Sequence, residues 1–248
     1  MSSKGVALIT GAAQGIGREI AIRLAEDGFD VAVNDLSSKA EKLQEVVDEI
    51  QKKGRSSSKY IADVSQEEAV KAMIEQVVEK HGSLDVMVAN AGIFPKPVTL
   101  SEVSVEEWDR VMRVNATSTF LCYKYAGIQM VKQGRGGRII GASSLAGKQG
   151  AETAAAYCAS KFAVRGLTQA AALEFGPSNG ITVNAYAPGA VDTDMIPTQL
   201  LDILRERSPL KLTGSLKDIV ALVSFLVSKE AQFITGQSIS INGGLFFD

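Results

Sequence analysis

The chain has 248 residues, a net charge of −2, 46% hydrophobic residues and 22% charged residues. These values are ordinary for one soluble globular domain with a sizeable core, and without a basic stripe they argue against nucleic acid as a main partner. Cys122 and Cys158 lack the spacing of a disulfide framework, and no apolar run reaches membrane-spanning length. Because the first apolar segment follows Met1–Lys4 directly, a signal peptide is not expected. We therefore expect a cytoplasmic protein with reduced cysteines and no membrane partner.

Apolar, β-rich segments alternate with helical patterns along the whole chain. Helical patterns include Lys39–Lys53 and Gln66–Lys80. The predicted strands are Val6–Ile9, Val31–Asn34, Lys59–Ala62, Val86–Ala89, Arg138–Gly141, Thr182–Ala185 and Ser238–Ile241. This alternation predicts an α/β fold in which a mainly parallel, doubly wound sheet forms a single domain over residues 1–248.

A glycine-rich turn joins the first predicted strand to a helical pattern over Arg18–Glu26. Glycines allow a tight turn and close approach of a cofactor, while the helix N-terminus attracts a pyrophosphate. The spacing is G-x-x-x-G-x-G rather than G-x-G-x-x-G, and an ordinary strand-to-helix turn is the alternative. The flanking pattern favours dinucleotide binding. The expected cofactor contacts in this turn are Gly11, Gln14, Gly15, Ile16 and Gly17.

Asp35 ends the second predicted strand, near the place where an acid binds the adenosine ribose of NAD. A carboxylate there repels the 2′-phosphate of NADP, and neither Leu36 nor Gln14 supplies a compensating positive charge. Two alternatives stay open, namely that Asp35 caps the helix that follows, or that Lys39 or Arg18 binds a phosphate. The sequence favours NAD as the cofactor over NADP.

Tyr157 and Lys161 lie one turn apart on the same face if residues 154–174 are helical. A free phenol has a pKa near 10, and a neighbouring ammonium group favours its charged form. Ser144, thirteen residues before the tyrosine, is placed to hold a carbonyl oxygen beside the phenol, with Ser143 as its nearest rival. Together with the glycine-rich turn, these residues predict a carbonyl/alcohol oxidoreductase.

Several motifs then occur in a recognisable order: TGAAQGIG at Thr10–Gly17, NAG at Asn90–Gly92, Asn115, Ser144, Tyr157-x-x-x-Lys161, and PG at Pro188–Gly189. In this order they resemble the short-chain dehydrogenase/reductase family over essentially the whole chain. The resemblance implies a Rossmann-type, seven-stranded sheet with the first strand near its centre. At finer grain, VAVNDL, YCASKFAVRGLTQAAALE and ITGQSISINGG resemble the diacetyl/acetoin reductase and 2,3-butanediol dehydrogenase branch.

The resemblance also implies the chemistry. Ser144 and Tyr157 would hydrogen-bond the substrate oxygen, with Tyr157 as acid in reduction and base in oxidation, its pKa lowered by Lys161 and the nicotinamide ring. Lys161 would also bind the nicotinamide ribose. Asn115 would bend its helix and hold a water near Lys161, with a solvent-facing helical asparagine as the alternative. The remaining implied cofactor contacts are Asp63 and Val64 at the adenine, Asn90, Ala91 and Gly92 at the ribose, and Pro188, Gly189, Val191 and Thr193 at the nicotinamide.

Residues at about 190–209 are expected to form a short, apolar lid over the site. Such a lid favours a small neutral carbonyl or secondary-alcohol substrate, although the same residues would also suit packing against the body. Because the resembling branch carries a longer lid, a bulkier secondary alcohol or a cyclic ketone is an alternative to a small diketone. The expected substrate-lining residues are Phe94, Ala146, Gln149, Ala190, Met195 and Ile196.

Other function classes have less support. His81 is the only histidine and is interpreted as a helix-end residue, which excludes a histidine-rich zinc site, and no G-x-S-x-G elbow is present. Two alternatives are an NADPH-dependent 3-oxoacyl-carrier-protein reductase and a redox-inactive dinucleotide-binding protein. The apolar tail Leu245–Phe247 predicts a homotetramer, unless the tail folds onto its own subunit.

Overall fold

The computed structural model describes residues 3–177, 179–192 and 198–247. In this part of the chain, seven parallel strands form one sheet in the order β3-β2-β1-β4-β5-β6-β7. The strands are β1 Val6–Thr10, β2 Asp30–Asp35, β3 Ser57–Ile61, β4 Val86–Ala89, β5 Gly137–Ala142, β6 Ile181–Pro188 and β7 Ser238–Ile241. The predicted doubly wound, Rossmann-type sheet is therefore confirmed.

Helices connect the strands and cover both faces of the sheet. They are α1 Gly15–Glu26, α2 Ala40–Lys52, α3 Glu67–His81, α4 Val105–Met112, α5 Ser118–Gln133, α6 Ala155–Phe175, α7 Thr198–Arg207 and α8 Leu216–Val227. One apolar cluster joins α1, α2 and α8 to the sheet, and a second joins α3, α5 and α6 to the opposite face. Buried on both faces, β1 and β4 consist almost entirely of aliphatic residues, as parallel central strands do.

Several strand boundaries differ from the sequence prediction by one to three residues. The third strand begins at Ser57 rather than Lys59, because Ser57 and Ser58 pair with Val31 and Ala32 of β2. The Ser57 hydroxyl also donates to the carbonyl oxygen of Val31 at 2.8 Å, which satisfies a polar side chain that the periodicity treated as loop. Helix α3 ends at His81, which confirms the interpretation of that residue.

The carboxyl ends of β1 and β4 meet at the middle of the sheet, where the strand order reverses. Helices leave adjacent strands in opposite directions there, and the resulting crevice is the usual ligand site of such sheets. The turn after β1, the loop after β4 and the ends of β5 and β6 all open onto this edge. The fold thus brings the separate sequence motifs to one place.

Candidate active site

The turn from β1 to α1 is built by three glycines. Gly11 and Gly15 have φ values of 63° and 57°, a region that favours glycine. A methyl group on Gly17 would collide with the carbonyl oxygen of Gly11 and lie 2.5 Å from Nδ2 of Asn90. A methyl group on Gly15, in contrast, would have no protein atom within 4 Å. The glycines therefore permit a tight turn that leaves open space at the N-terminus of α1.

Asn90 fastens this turn to the sheet. Its Nδ2 donates to the carbonyl oxygens of Thr10 at 2.9 Å and Gly11 at 3.1 Å, and its Oδ1 accepts from the Tyr186 hydroxyl at 2.7 Å. The Thr10 hydroxyl in turn accepts from the backbone N–H groups of Asn90 and Ala91. The side chain of Asn90, predicted to contact the cofactor, is thus engaged within the protein, and its backbone and the small residues Ala91 and Gly92 border the crevice.

Asp35 lies at the end of β2, half-buried, beside the glycine turn. Its Oδ2 accepts from the N–H of Ala13 at 3.0 Å, and its Oδ1 accepts from the N–H of Leu36 at 2.9 Å. Lys39 donates to the side-chain oxygen of Gln14 at 3.2 Å. The carboxylate therefore borders the same turn as the glycines, and Lys39 is hydrogen-bonded to an uncharged side chain of that turn.

Asp63 and Val64 follow β3 at the same edge of the sheet. Oδ1 of Asp63 accepts from the N–H of Ser65 at 2.9 Å, and the side chain of Val64 is buried. Neither residue contradicts the adenine contacts that the resemblance implied, and those contacts stay a prediction.

The end of β6 supplies the opposite wall. Gly189 donates its N–H to Ile241 at 2.9 Å, and Ala190 accepts from the N–H of Gly214 at 2.8 Å. The side chain of Val191 is 2% exposed and belongs to the core, so only its backbone is available to a ligand. Thr193, the last predicted cofactor contact, lies outside the described residues.

Tyr157 and Lys161 occupy successive turns of α6, as predicted. The Ser144 side chain interacts with the Tyr157 hydroxyl and lowers the pKa of the phenol, and Nζ of Lys161 lies 5.5 Å from the centre of the tyrosine ring. Ser144 Oγ also accepts from the N–H of Ala146 at 3.1 Å. Ser143 is buried and donates to the backbone oxygen of Lys161 at 3.2 Å, so its hydroxyl is turned away from the phenol. The geometry favours Ser144 over its rival.

Burial shifts the pKa values of both Tyr157 and Lys161. Burial raises the pKa of Tyr157 above its ordinary value, and the hydrogen bond with Ser144 opposes that shift only in part. Burial also lowers the pKa of Lys161 to about 8, and its Nζ donates to the carbonyl oxygen of Ala142 at 2.8 Å. In the chain alone desolvation is the main influence on the phenol, so the lowering that the resemblance implies from Lys161 and the nicotinamide ring together stays a prediction.

Asn115 lies in a π-helical turn, Arg113–Thr117, between α4 and α5. The predicted local distortion of the helix is confirmed, and the solvent-facing alternative is excluded since Asn115 is fully buried. Its Nδ2 donates to the carbonyl oxygen of Ile93 at 2.9 Å and to Ser160 Oγ at 3.1 Å, and its Oδ1 accepts from the N–H of Ile93 at 2.8 Å. A π-helical turn inside a helix often marks a functional site.

The predicted substrate wall is described in part. Phe94 packs against Tyr157 with ring centroids 4.8 Å apart. Ala146 follows the serine, Gln149 is exposed, and Ala190 is buried at the opposite side. Within the predicted lid at 190–209, helix α7 covers Thr198–Arg207. Met195 and Ile196 lie outside the described residues.

Three residues of the site were missed by the sequence analysis: Thr10, Ser160 and Tyr186. Ser160 is fully buried, accepts from Asn115 and donates to the backbone oxygen of Tyr157 at 2.7 Å. A polar residue inside an apolar strand or helix face was the available signal for each of them, since buried hydroxyl groups need partners.

Among the residues that the structure describes, no group of three or more histidine, cysteine or acidic side chains is placed to hold a metal ion. Both cysteines are buried and free. Within the same residues, no helix is both long and apolar enough to cross a membrane.

Comparison with known proteins identifies the family. A family model described as enoyl-(acyl carrier protein) reductase matches residues 11–246. A short-chain dehydrogenase/reductase of Armillaria gallica is 52% identical over 98% of this chain and 96% of its own length. The chain belongs to the short-chain dehydrogenase/reductase family of oxidoreductases. A 3-oxoacyl-[acyl-carrier-protein] reductase of Staphylococcus aureus is 47% identical to this short-chain dehydrogenase/reductase over 97% of both chains.

Solved structures of other short-chain dehydrogenases/reductases share the fold. Carveol dehydrogenase from Mycobacterium avium, in complex with NAD, is 31% identical over 98% of both chains, with a TM-score of 0.93. Acetoin dehydrogenase from Enterobacter cloacae is 35% identical with a TM-score of 0.88, covering 99% of this chain and 96% of its own. A short-chain dehydrogenase from Burkholderia cenocepacia, in complex with NADP, is 37% identical with a TM-score of 0.90 over 96% of both chains.

The described residues fit a dinucleotide. The open space at Gly15, the N-terminus of α1 and the half-buried carboxylate of Asp35 lie along one edge, in the order that pyrophosphate and adenosine ribose require. Gly92 lies at the other end, where an added methyl group would be 3.3 Å from Oδ1 of Asn115 and 3.4 Å from Nζ of Lys161. The crevice therefore leads from the glycine turn to the Ser144–Tyr157 pair.

Proposed function

We propose that this short-chain dehydrogenase/reductase is an NAD-dependent enzyme that interconverts a secondary alcohol and a ketone. The observation that carries the proposal is the half-buried Tyr157, whose phenol interacts with the Ser144 side chain and lies one helical turn from Lys161. Groups of this kind bind a carbonyl oxygen and give it a proton in reduction, and they remove the proton of the alcohol in oxidation. Their proximity counts against a redox-inactive protein, which has no chemical need to keep a serine, a tyrosine and a lysine together in this way.

Each residue of the proposed active site has a separate role. When bound, the nicotinamide cofactor would supply hydride in reduction and accept it in oxidation. Ser144 would donate a hydrogen bond to the carbonyl oxygen, and Tyr157 would give that oxygen its proton, then take it back in the reverse reaction. The raised pKa of Tyr157 keeps the phenol protonated, which suits the acid needed for reduction. Lys161 would bind the nicotinamide ribose, and Asn115 would hold the water that returns the proton.

The preference for NAD rests on Asp35. Its carboxylate borders the glycine turn, and a 2′-phosphate at that place would meet like charge. Relatives of similar fold bind either cofactor, since the Mycobacterium protein holds NAD and the Burkholderia protein holds NADP. Lys39 donates to the uncharged side chain of Gln14 in the turn. NAD is therefore the proposed cofactor, and a basic phosphate contact is the feature that NADP would need.

The substrate is proposed to be a neutral ketone or alcohol with a bulky or cyclic carbon skeleton. The ring of Phe94 packs edge to face against the ring of Tyr157 and makes that side of the phenol apolar. The acetoin dehydrogenase of Enterobacter and the carveol dehydrogenase of Mycobacterium are both similar in fold, and their names span a small and a cyclic alcohol. The short predicted lid supports the larger of the two classes.

A carrier-bound 3-oxoacyl group is the second candidate. It is favoured by the 47% identity with the Staphylococcus reductase. Asp35 counts against it if that reaction requires NADPH, because the carboxylate would repel the 2′-phosphate. A free cyclic ketone therefore remains the proposed class.

Assembly as a cytoplasmic homotetramer completes the proposal. Phe233 is 100% exposed and Phe247 is 81% exposed, with Phe225 also at the surface of α8. Exposed aromatic rings of this kind usually mark an interface between subunits. Sedimentation at micromolar concentration tests this part, and a monomer would contradict it.

The first experiment follows the loss of nicotinamide absorbance with NADH and with NADPH, separately. The substrates are diacetyl, acetoin, several bulky cyclic ketones and an acetoacetyl thioester. Turnover of cyclic ketones with NADH supports both the proposed cofactor and the proposed substrate class. Fast turnover of diacetyl with NADH keeps the cofactor and replaces the substrate class with small diketones. Turnover of the thioester with NADPH would instead favour the second candidate.

A further inference from the structure

An aromatic contact holds the ring of Tyr157 from the side. The rings of Phe94 and Tyr157 meet at an interplanar angle of 71°, with centroids 4.8 Å apart. This edge-to-face arrangement is a preferred geometry for aromatic pairs, and it fixes ring orientation more strictly than aliphatic packing does. Phe94 therefore limits how far the phenol can turn about its side-chain bonds.

Phe94 lies in a loop, and the loop is held in place. The residue before it, Ile93, exchanges two hydrogen bonds with the side chain of Asn115, at 2.8 Å and 2.9 Å. The residue after it, Pro95, is buried, and a proline restricts the backbone of the residue that precedes it to extended conformations. Further along, Val98 donates its N–H to the carbonyl oxygen of Thr153 at 3.1 Å, next to the start of α6. These contacts turn an irregular segment into a rigid support.

The backbone of Tyr157 is tied to the same asparagine. Ser160 Oγ donates to the carbonyl oxygen of Tyr157 at 2.7 Å and accepts from Nδ2 of Asn115 at 3.1 Å. Asn115 thus reaches Tyr157 by two routes, through Ser160 to its backbone and through Ile93 and Phe94 to its ring. Both routes consist of buried or half-buried groups.

We propose that Phe94 is a positioning residue for Tyr157, holding the phenol where its hydroxyl meets Ser144, and that Asn115 fixes Phe94 through Ile93. The proposal rests on the proposed function for the role of Tyr157, and goes beyond it by giving Phe94 a part other than lining the substrate pocket. A pocket-lining residue contacts the substrate directly, whereas a positioning residue acts only through the phenol. The two roles are separable by experiment.

A double-mutant cycle in turnover separates them. We expect Phe94→Leu, which keeps apolar volume but removes the ring, to lower kcat about tenfold through misplacement of the phenol. In a Tyr157→Phe background the same change should alter the residual kcat less than about twofold, since the hydroxyl that it positions is gone. Phe94→Tyr keeps the aromatic ring, so the kcat of this variant should stay near the wild-type value. Effects that multiply in the double mutant, or a Phe94→Tyr variant as slow as Phe94→Leu, would overturn the proposal.

A second measurement does not depend on turnover. The chain has five tyrosines, and protein labelled with ¹³C in the tyrosine rings would show the Tyr157 signal as the one lost in Tyr157→Phe. The ring current of residue 94 moves the signal itself, so the quantity measured is the pH at which the signal titrates. We expect this pH to change in Phe94→Leu, because the phenol loses its interaction with Ser144, and to stay near the wild-type value in Phe94→Tyr. The other four tyrosine signals should keep their positions, which shows that the variant is folded. An unchanged titration in Phe94→Leu contradicts the positioning role, whereas a wild-type enzyme that reduces no ketone contradicts only the proposed function.

Discussion

The hydroxyl of Tyr186 donates to Oδ1 of Asn90 at 2.7 Å, linking β6 to the end of β4 across the intervening strand β5. Burial raises the pKa of Tyr186 far above its usual value, which keeps the phenol protonated and able to donate. Because the same asparagine donates to Thr10 and Gly11, a tyrosine distant in sequence helps to hold the glycine turn.

Tyr186→Phe should therefore weaken both the fold and the cofactor site. Removing the hydroxyl leaves Oδ1 of Asn90 without its donor, and we expect the free energy of unfolding to fall by about 1–3 kcal/mol. Urea titration measures that loss, and fluorescence titration should show weaker NADH binding. Tyr123→Phe is the matched control, since the buried Tyr123 hydroxyl bonds to Thr168 at 3.0 Å away from the turn. Equal NADH affinity in the two variants would contradict a role for Tyr186 at the turn.

Two helical glycines should respond oppositely to alanine. In Gly17→Ala the new methyl group meets Gly11 and Asn90, so we expect NADH binding to be lost. In Gly166→Ala, inside α6, the methyl group has no atom within 4 Å, and the free energy of unfolding should rise by about 0.4–1 kcal/mol. Thermal unfolding and NADH titration of both variants check this pair. If a folded Gly17→Ala protein still binds NADH, the expected clash with Gly11 and Asn90 does not block the cofactor, and the prediction is wrong.

Much of this arrangement was predictable because the motifs are local. The alternation of strands and helices fixed the sheet, and the strand-end positions of Asp35 and Asn90 indicated one edge of it. Family resemblance supplied the strand order, which periodicity does not contain. The spacing of Ser144 and Tyr157 likewise anticipated that their hydroxyl groups meet.

What escaped prediction depends on contacts between residues far apart in sequence. Nothing in the local pattern at Tyr186 indicates that its hydroxyl reaches a residue 96 positions away. The charge state of Lys161 was also beyond reach, because burial depends on the packing of the whole site rather than on the neighbouring phenol. Similarly, the family resemblance implied a bent helix at Asn115, whereas the partners of its side chain, Ile93 and Ser160, are visible only in the folded structure.

The buried Lys161 should make stability depend on pH in a defined window. Since its pKa is lowered to about 8 from 10.5, the unfolded chain binds more protons than the folded one between these values, and stability rises with pH there. Below pH 8 the folded protein carries the full cost of a buried charge. Lys161→Met removes this cost. The free energy of unfolding of the variant minus that of wild type should therefore be largest below pH 8 and decrease as the pH rises toward 10.5. Urea titrations at pH 7, 8, 9 and 10 test this, and parallel curves would contradict it.

The assignment of the acid–base group gives a kinetic prediction. Tyr157→Phe removes the proton donor and should lower turnover by about 10²–10⁴ while leaving NADH affinity nearly unchanged. Ser144→Ala should also slow turnover, because the carbonyl oxygen loses a donor. Ser143→Ala is the comparison variant, since its hydroxyl faces the backbone of Lys161. Steady-state kinetics with a reactive ketone measure all three, and near-wild-type turnover of Tyr157→Phe would overturn the assignment.

Cofactor choice should follow the charge of Asp35. Asp35→Asn removes the repulsion of a 2′-phosphate but keeps an oxygen that accepts from the N–H of Ala13, so the turn should retain its shape. We expect the ratio of kcat/KM for NADH to that for NADPH to fall about tenfold or more, which corresponds to at least ~1.4 kcal/mol. Asp63→Asn, at the same edge but bonded to Ser65, controls for the loss of any one carboxylate. If both variants change the ratio equally, the preference reflects the general charge of the crevice; a change confined to Asp35→Asn assigns it to the carboxylate beside the glycine turn.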